Sequence, residues 1–349
     1  AGRVGAPVVL VADIDRGGVF ASIVGTMKLL KPRERRLVIG FIINKFRGDP
    51  ALFERGVRLI RRKTGRPVFG VLPYFTDIHL PQEDSVALQA GRKGSVHRGG
   101  TVRVAVVHLP YISNYTDFDP LELEEDTTLY YTADPGELDG CTVAVLPGSK
   151  NTIQDLLWLK QRGFDRTLRR HVASGRTLIG ICGGYQMLGT RIQDPHGVES
   201  PVREAEGLGL LDVRTVLDRH KTLIRAQGFC SMEGLTGAPV DGYEIHMGIT
   251  TRGDTVRHAF SIRPEADPHA PYRPDGGAYP GRPVWGTYLH GLFESDPFRH
   301  RFLEREGRKI CRPLEYRAFV QAQYDRLADL IERSVDVDAL LAAARRFQR

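Results

Sequence analysis

The segment Leu178-Ile179-Gly180-Ile181-Cys182-Gly183-Gly184-Tyr185-Gln186-Met187-Leu188-Gly189 runs from a buried apolar stretch through a glycine-flanked cysteine into a helix start. It is the thiol counterpart of the G-x-S-x-G elbow, where a strand turns sharply into a helix and presents a nucleophile at the turn. The paired glycines leave room for a strained turn and for close approach of neighbouring backbone. A helix N-terminus favours the reactive thiolate, and the N–H of Gly183, one residue on, is placed to bind an oxyanion. Cys182 is therefore the candidate nucleophile, set at the carboxyl end of a strand in an α/β fold. Cys141, Cys230 and Cys311 lack this context.

A thiol nucleophile needs a base, and the two meet in space rather than in sequence. Trp285-Gly286-Thr287-Tyr288-Leu289-His290-Gly291 places His290 just after a short strand-like run. His108, His171 and His220 have no such setting and read as surface or structural residues. Pro147-Gly148-Ser149-Lys150 follows a further apolar run, Thr142–Leu146, and offers a second oxyanion N–H from Gly148 or Ser149. With the strand-like run Val102–His108 and helical spacing around Thr152–Arg162, these segments make an α/β domain. Further strand-like runs cover Gly209–Val216 and Trp285–Tyr288, and the tail from Pro313 has helical spacing through Leu327, Leu330 and Ile331.

Upstream, Val8–Ala12, Leu37–Ile43 and Pro67–Leu72 are apolar runs separated by the helix-like stretches Val19–Leu30 and Asp49–Lys63. Such alternation predicts parallel strands covered by helices. Ligands gather at the carboxyl ends of such strands, which here carry Asp13-Ile14-Asp15-Arg16-Gly17-Gly18 and Asn44-Lys45-Phe46-Arg47-Gly48-Asp49. Gln89–Thr101, with four glycines among basic residues, loses periodicity and reads as a linker.

Hydrophobic residues make up 41% and charged residues 26% of the 349, which suits a globular protein with a substantial core. No run approaches the ~18 apolar residues a membrane span needs, and no signal peptide is present, so a cytoplasmic location is expected. The four cysteines form no CxxC pair, which argues against a zinc site or a disulfide framework. The formal charge of +7 is spread among 42 acidic residues without a nucleic-acid motif; a basic surface here suits anionic small substrates.

Five segments carry a more specific likeness. Asp13–Ser22, Ile43–Asp49, Ile112-Ser113-Asn114-Tyr115-Thr116-Asp117-Phe118-Asp119-Pro120-Leu121, Leu146–Thr152 and Gly242-Tyr243-Glu244-Ile245-His246-Met247-Gly248, in this order around the elbow cysteine, resemble the cobyric acid synthase family of class I glutamine amidotransferases. The resemblance implies a P-loop-type parallel-sheet synthetase part at 1–98, a flavodoxin-like amidotransferase domain at 101–300 and a helical tail at 301–349. It implies ATP- and glutamine-dependent amidation of four peripheral carboxylates of a corrin a,c-diamide, with glutamine as the ammonia donor at Cys182 and His290. Asp13 and Asp15 are implied as Mg²⁺ and nucleotide residues, with Asp13 the metal ligand, and Asn44 and Lys45 as adenine contacts. The expected partners are glutamine and a corrinoid, with no nucleic acid and no membrane, and with homo-oligomerisation open.

Two departures from the family pattern stand out. The glutamate that commonly lies two residues after the histidine is replaced by Leu292, which leaves a Cys-His pair and suggests slow or tightly coupled glutamine hydrolysis. No G-x-x-x-x-G-K-[ST] occurs, and a core strand starts at once, so the chain is expected to begin after a P-loop. Asn114, Thr116 and Asp117 admit substrate, interdomain and loop-capping readings and receive no role. Competing readings are cobyrinic acid a,c-diamide synthase, a peptidoglycan-precursor amidating type, and a non-catalytic binding protein on the same fold.

Overall fold

The three apolar runs at the start form a parallel sheet in the computed structural model, which describes residues 1–80, 99–308 and 313–347. Residues 89–98 of the expected linker, and Cys311, lie outside the described residues. The strands Val8–Asp13, Val38–Phe46 and Val68–Pro73 lie in chain order, all parallel. Both faces of this sheet are covered, which is why its strands read as nearly continuous apolar runs. On one side Val19, Ile23, Met27 and Ile60 of the helices Val19–Leu29 and Glu54–Thr64 bury Phe41 and Ile43. On the other, Ala339, Leu340, Ala343 and Phe347 of the helix Val337–Phe347 pack on Ile39 and Phe69.

By its contacts the chain forms two units, one of residues 1–80 with 318–349 and one of residues 81–317. The helical tail, expected as a closing segment of its own, thus supplies a layer of the first unit. The backbone N–H of Asp336 donates to Phe69 O at 2.8 Å, tying the tail to a sheet edge. Among the described residues no helix is long and apolar enough to cross a membrane.

The second unit is built on a six-stranded sheet in the order Gly277–Ala278, Val284–Thr287, Thr177–Ile181, Val143–Leu146, Val102–Val107, Thr127–Thr132. All neighbours are parallel except the short first strand. The helices Thr152–Gln161 and Phe164–Ala173 cover it through Ile153, Leu156, Leu159, Phe164 and Leu168, all fully buried. A second, mixed sheet is dominated by the antiparallel pair Val213–Cys230 and Pro239–Arg252, and its edge strand Leu289–His290 pairs with the latter. A two-stranded ribbon, Ile112–Ser113 with Gly148–Ser149, completes the unit. Parallel packing brings the carboxyl ends of Val143–Leu146, Thr177–Ile181 and Val284–Thr287 side by side, and the chain leaves those ends at Gly148, Cys182 and His290.

Candidate active site

Cys182 is the turn between the strand Thr177–Ile181 and the helix Gly183–Leu188, with φ 51° and ψ −108°. A non-glycine residue there is strained, and such strain persists only where the surroundings enforce it. They do: Cys182 N–H donates to Thr287 O at 2.8 Å, and its own carbonyl accepts from Gln186 N–H at 3.1 Å. The thiol lies 3.5 Å from the carbonyl oxygen of Ile245.

Close approach explains the two glycines after it. A Cβ on Gly184 would overlap the carbonyl oxygen of Leu146, on the neighbouring strand. A Cβ on Gly183 would sit 3.0 Å from the backbone nitrogen of Ser149. The elbow is therefore pressed onto the Gly148–Ser149 turn, and the two expected oxyanion contributors are brought together. Gly184→Ala should cost about 2–3 kcal/mol, since the obstacle is backbone that cannot turn aside. In a unit of this size that is a fall in melting temperature of roughly 5–10 °C. An unchanged melting curve would show that the strand and elbow are not packed this tightly.

His290 is 1% exposed and leaves the sheet on the same side. Its Cε1 would lie 3.2 Å from a Cβ on Gly148, so imidazole, Gly148–Ser149 and elbow form one cluster. The ring is held from two directions. Its Nδ1 is 2.6 Å from Oδ2 of Asp117, while the backbone N–H of Gly291 donates to Oδ1 of the same carboxylate at 2.9 Å. Tyr243 stacks on the ring with centroids 5.3 Å apart, and the Tyr243 hydroxyl accepts from Asn114 Nδ2 at 2.7 Å. Burial disfavours a charge on His290, but the Asp117 carboxylate, helped by the Cys182 side chain, more than offsets this and raises it to about 10. With Nδ1 engaged by Asp117, Nε2 is left for the sulfur.

The histidine therefore does have an orienting carboxylate. Leu292, where the family's glutamate would stand, is a buried core residue, and Glu294 is not among the hydrogen-bond partners of His290. Asp117 takes that place from another element, the 3₁₀ turn Tyr115–Phe118, entered through Asn114 in the left-handed region at φ 52°. Expecting slow hydrolysis because the carboxylate is missing thus loses its premise. Asp117 and Asn114 both lie in the Ile112–Leu121 segment singled out from sequence, yet neither had been given a role.

In the first unit the strand-end residues come together differently from expectation. Lys45 Nζ donates to Asp13 Oδ2 at 2.8 Å and Arg47 Nε to Asp15 Oδ1 at 2.7 Å. The Lys45 hydrogen bond pulls the Asp13 carboxyl below its ordinary range, as Arg47 does for Asp15. Asn44 Oδ1 accepts from Lys45 N–H at 2.8 Å, where Lys45 takes a positive φ of 63°. Both pairs are partly exposed, and Mg²⁺ is commonly held by one or two carboxylates together with substrate phosphates and water. Among the described residues no group of three or more His, Cys, Asp or Glu is arranged to hold a metal.

Comparison with known proteins adds the following. The CobB/CobQ-like glutamine amidotransferase domain matches residues 103–298, and an AAA domain matches residues 1–82. A cobyric acid synthase of Mycolicibacterium gilvum (strain PYR-GCK) is 47% identical, covering 98% of this chain and 65% of its own. One of Syntrophobacter fumaroxidans (strain DSM 10017 / MPOB) is 45% identical, covering 95% of this chain and 67% of its own. The chain thus spans about two thirds of the length of these curated relatives. A solved glutamine amidotransferase structure covers 59% of this chain and 99% of its own, at 18% identity and a TM-score of 0.41.

Proposed function

The chain belongs to the CobB/CobQ-like glutamine amidotransferase family, and on that premise we propose that Cys182, His290 and Asp117 hydrolyse the side-chain amide of glutamine to release ammonia. The observation that carries this reading is the strained elbow thiol facing a buried histidine whose other nitrogen is held by a carboxylate. In that arrangement His290 takes the proton of the thiol as the sulfur becomes the nucleophile. The sulfur attacks the amide carbon, a C–S bond forms, and the carbonyl oxygen takes the negative charge. Backbone N–H groups around Gly183, Gly148 and Ser149 stabilise that oxyanion, which has no counterpart in the ground state. Collapse expels ammonia, with the proton supplied by His290. The now neutral His290 takes a proton from water, hydroxide attacks the thioester, and glutamate leaves as the thiolate returns. Asp117 takes no proton in this cycle; it holds the ring and stabilises its charged form.

The ammonia is destined for a carboxylate acceptor. Likeness to cobyric acid synthases supports the peripheral carboxylates of a corrin a,c-diamide, amidated in four ATP-dependent steps. A carboxylate is a poor electrophile, so phosphorylation must supply a leaving group before ammonia can displace it. The AAA match at residues 1–82 supports nucleotide use by the first unit, where Asn44 and Lys45 remain the proposed adenine contacts.

A diazo-ketone analogue of glutamine tests the thiol reading directly, because it alkylates a cysteine only where the amino acid is bound and the sulfur is activated. Peptide mass mapping should find one adduct, on Cys182, blocked by excess glutamine. A folded protein that stays unlabelled, or is labelled elsewhere, would support a binding protein on an amidotransferase fold instead.

A further inference from the structure

One carboxylate beside the thiol site has no part in the cycle just described. Asp155 lies in the first turn of the helix Thr152–Gln161 and is 0% exposed. Its Oδ2 accepts from Ser149 Oγ at 2.6 Å, and its Oδ1 accepts from the backbone N–H of Tyr111 at 3.2 Å. Ser149 Oγ in turn accepts from Asn151 N–H at 2.9 Å, and Lys150 N–H donates to Tyr111 O at 2.9 Å. The group therefore grips the Gly148–Ser149 turn and the chain leading into its partner strand, Ile112–Ser113, at once.

Burying a carboxylate is expensive unless its oxygens are used. Burial does push Asp155 up, to about 6, despite these hydrogen bonds. Two donors converge on it from different directions, and only a carboxylate accepts on both oxygens. An asparagine would turn its NH₂ against one of them. An apolar residue here would leave the Tyr111 N–H and the Ser149 hydroxyl without an acceptor, so the carboxylate also serves the fold. What the carboxylate adds is a fixed Ser149, next to Gly183.

We propose that Asp155 is a positioning residue of the oxyanion site: through the Ser149 hydroxyl it sets the Gly148–Ser149 backbone at the distance from Gly183 that the tetrahedral oxyanion requires. The proposal rests on the reading of Gly183, Gly148 and Ser149 given above. Removing a whole oxyanion donor costs about 10²–10³ in kcat, so misplacing one should cost about 10–100-fold. Ser149→Ala and Asp155→Asn, made in the full chain, should each lower kcat for glutamine hydrolysis by about that factor with KM changed less than about threefold. Tyr111 N–H can only donate, so an asparagine keeps its oxygen there and turns its NH₂ to Ser149. Both substitutions thus remove the Ser149-to-Asp155 hydrogen bond, and the double variant should be no worse than the more impaired single variant, whereas independent losses would multiply.

Alkylation of Cys182 by iodoacetamide forms no oxyanion, so its rate should stay at the wild-type value in both variants. That separates a displaced oxyanion site from a damaged thiol–imidazole pair. Normal kcat in Ser149→Ala, multiplying losses, or slowed alkylation would each overturn the proposal. Ser149→Ala decides the matter alone if Asp155→Asn does not fold. Failure of the underlying reading looks different: Cys182→Ala would then keep its glutaminase activity, whatever Asp155 does.

Discussion

Asp117→Asn is expected to lower kcat for glutamine hydrolysis by about 10³–10⁴, as loss of the orienting carboxylate does in a Ser-His-Asp triad. The carboxylate serves two donors, His290 Nδ1 at 2.6 Å and Gly291 N–H at 2.9 Å. Asparagine has one acceptor oxygen. If it satisfies Gly291, its NH₂ faces Nδ1 and forces the imidazole proton onto Nε2, where it blocks the base function toward the sulfur. If it satisfies Nδ1, the buried Gly291 N–H is opposed by a donor and the histidine turn shifts.

The same substitution has a signature in pH that a general loss of packing would lack. His290 is raised above its ordinary value of about 6.5, to about 10, because Asp117 outweighs burial. A histidine raised on folding contributes stability that is fully present below the unfolded value and is lost as pH climbs through the folded one. Without Asp117, burial is opposed only by the Cys182 side chain, and the ring holds its proton less firmly. The variant should therefore be most destabilised near pH 6, by about 3–5 kcal/mol as for a broken buried pair, and the gap should close as pH approaches 10. Melting curves against pH read this. A gap independent of pH would show that the pair is not ionic, and kcat within tenfold of wild type would remove Asp117 from the mechanism.

That residue also shows where sequence reasoning stops. The elbow was legible because its logic is local: an apolar run, a cysteine, and two glycines whose close contacts need no Cβ. The proposed base was legible because a histidine just past a strand-like run is where a parallel sheet delivers a ligand. Asp117 meets His290 across 173 residues, a distance only the folded sheet closes. In sequence it sits in a run with Asn114, Thr116 and Asp119, where each polar residue has a sufficient local explanation as a turn or a cap. Leu292 stands where a glutamate was missed, but the premise that no carboxylate orients the histidine fails, because Asp117 in the turn Tyr115–Phe118 bonds the ring. Asp13 and Asp15 show the same limit at the other sheet. Strand-end carboxylates suggested a metal, and the fold sets Lys45 and Arg47, each 32 residues on at the end of the adjacent strand, against them. Parallel pairing of Asp13 with Asn44 creates that proximity, and it cannot be seen until the register is known.

Cys182→Ala should abolish glutamine hydrolysis, a loss of at least about 10⁴, since without the sulfur no covalent intermediate forms. Alanine leaves the backbone problem untouched, because at φ 51° any side chain is strained. Glycine does not share that penalty. Cys182→Gly should therefore be equally inactive but more stable than wild type, by roughly 1 kcal/mol from relief of strain, less the packing of a small side chain that is 8% exposed. The two readouts move in opposite directions only if the strain is kept for the reaction. A buried structural cysteine would give the reverse pattern: loss of stability on removal, and little loss of activity. Glutamate release and thermal melting of the wild-type, alanine and glycine proteins separate the cases. Residual activity above about 1% of wild type in the alanine variant, more than the expected ~10⁴ loss allows, would mean that the nucleophile lies elsewhere. A less stable glycine variant would mean that the elbow's geometry is held by the cysteine side chain itself, rather than imposed on it by Thr287, Gln186 and the tight seat of Gly184 on Leu146.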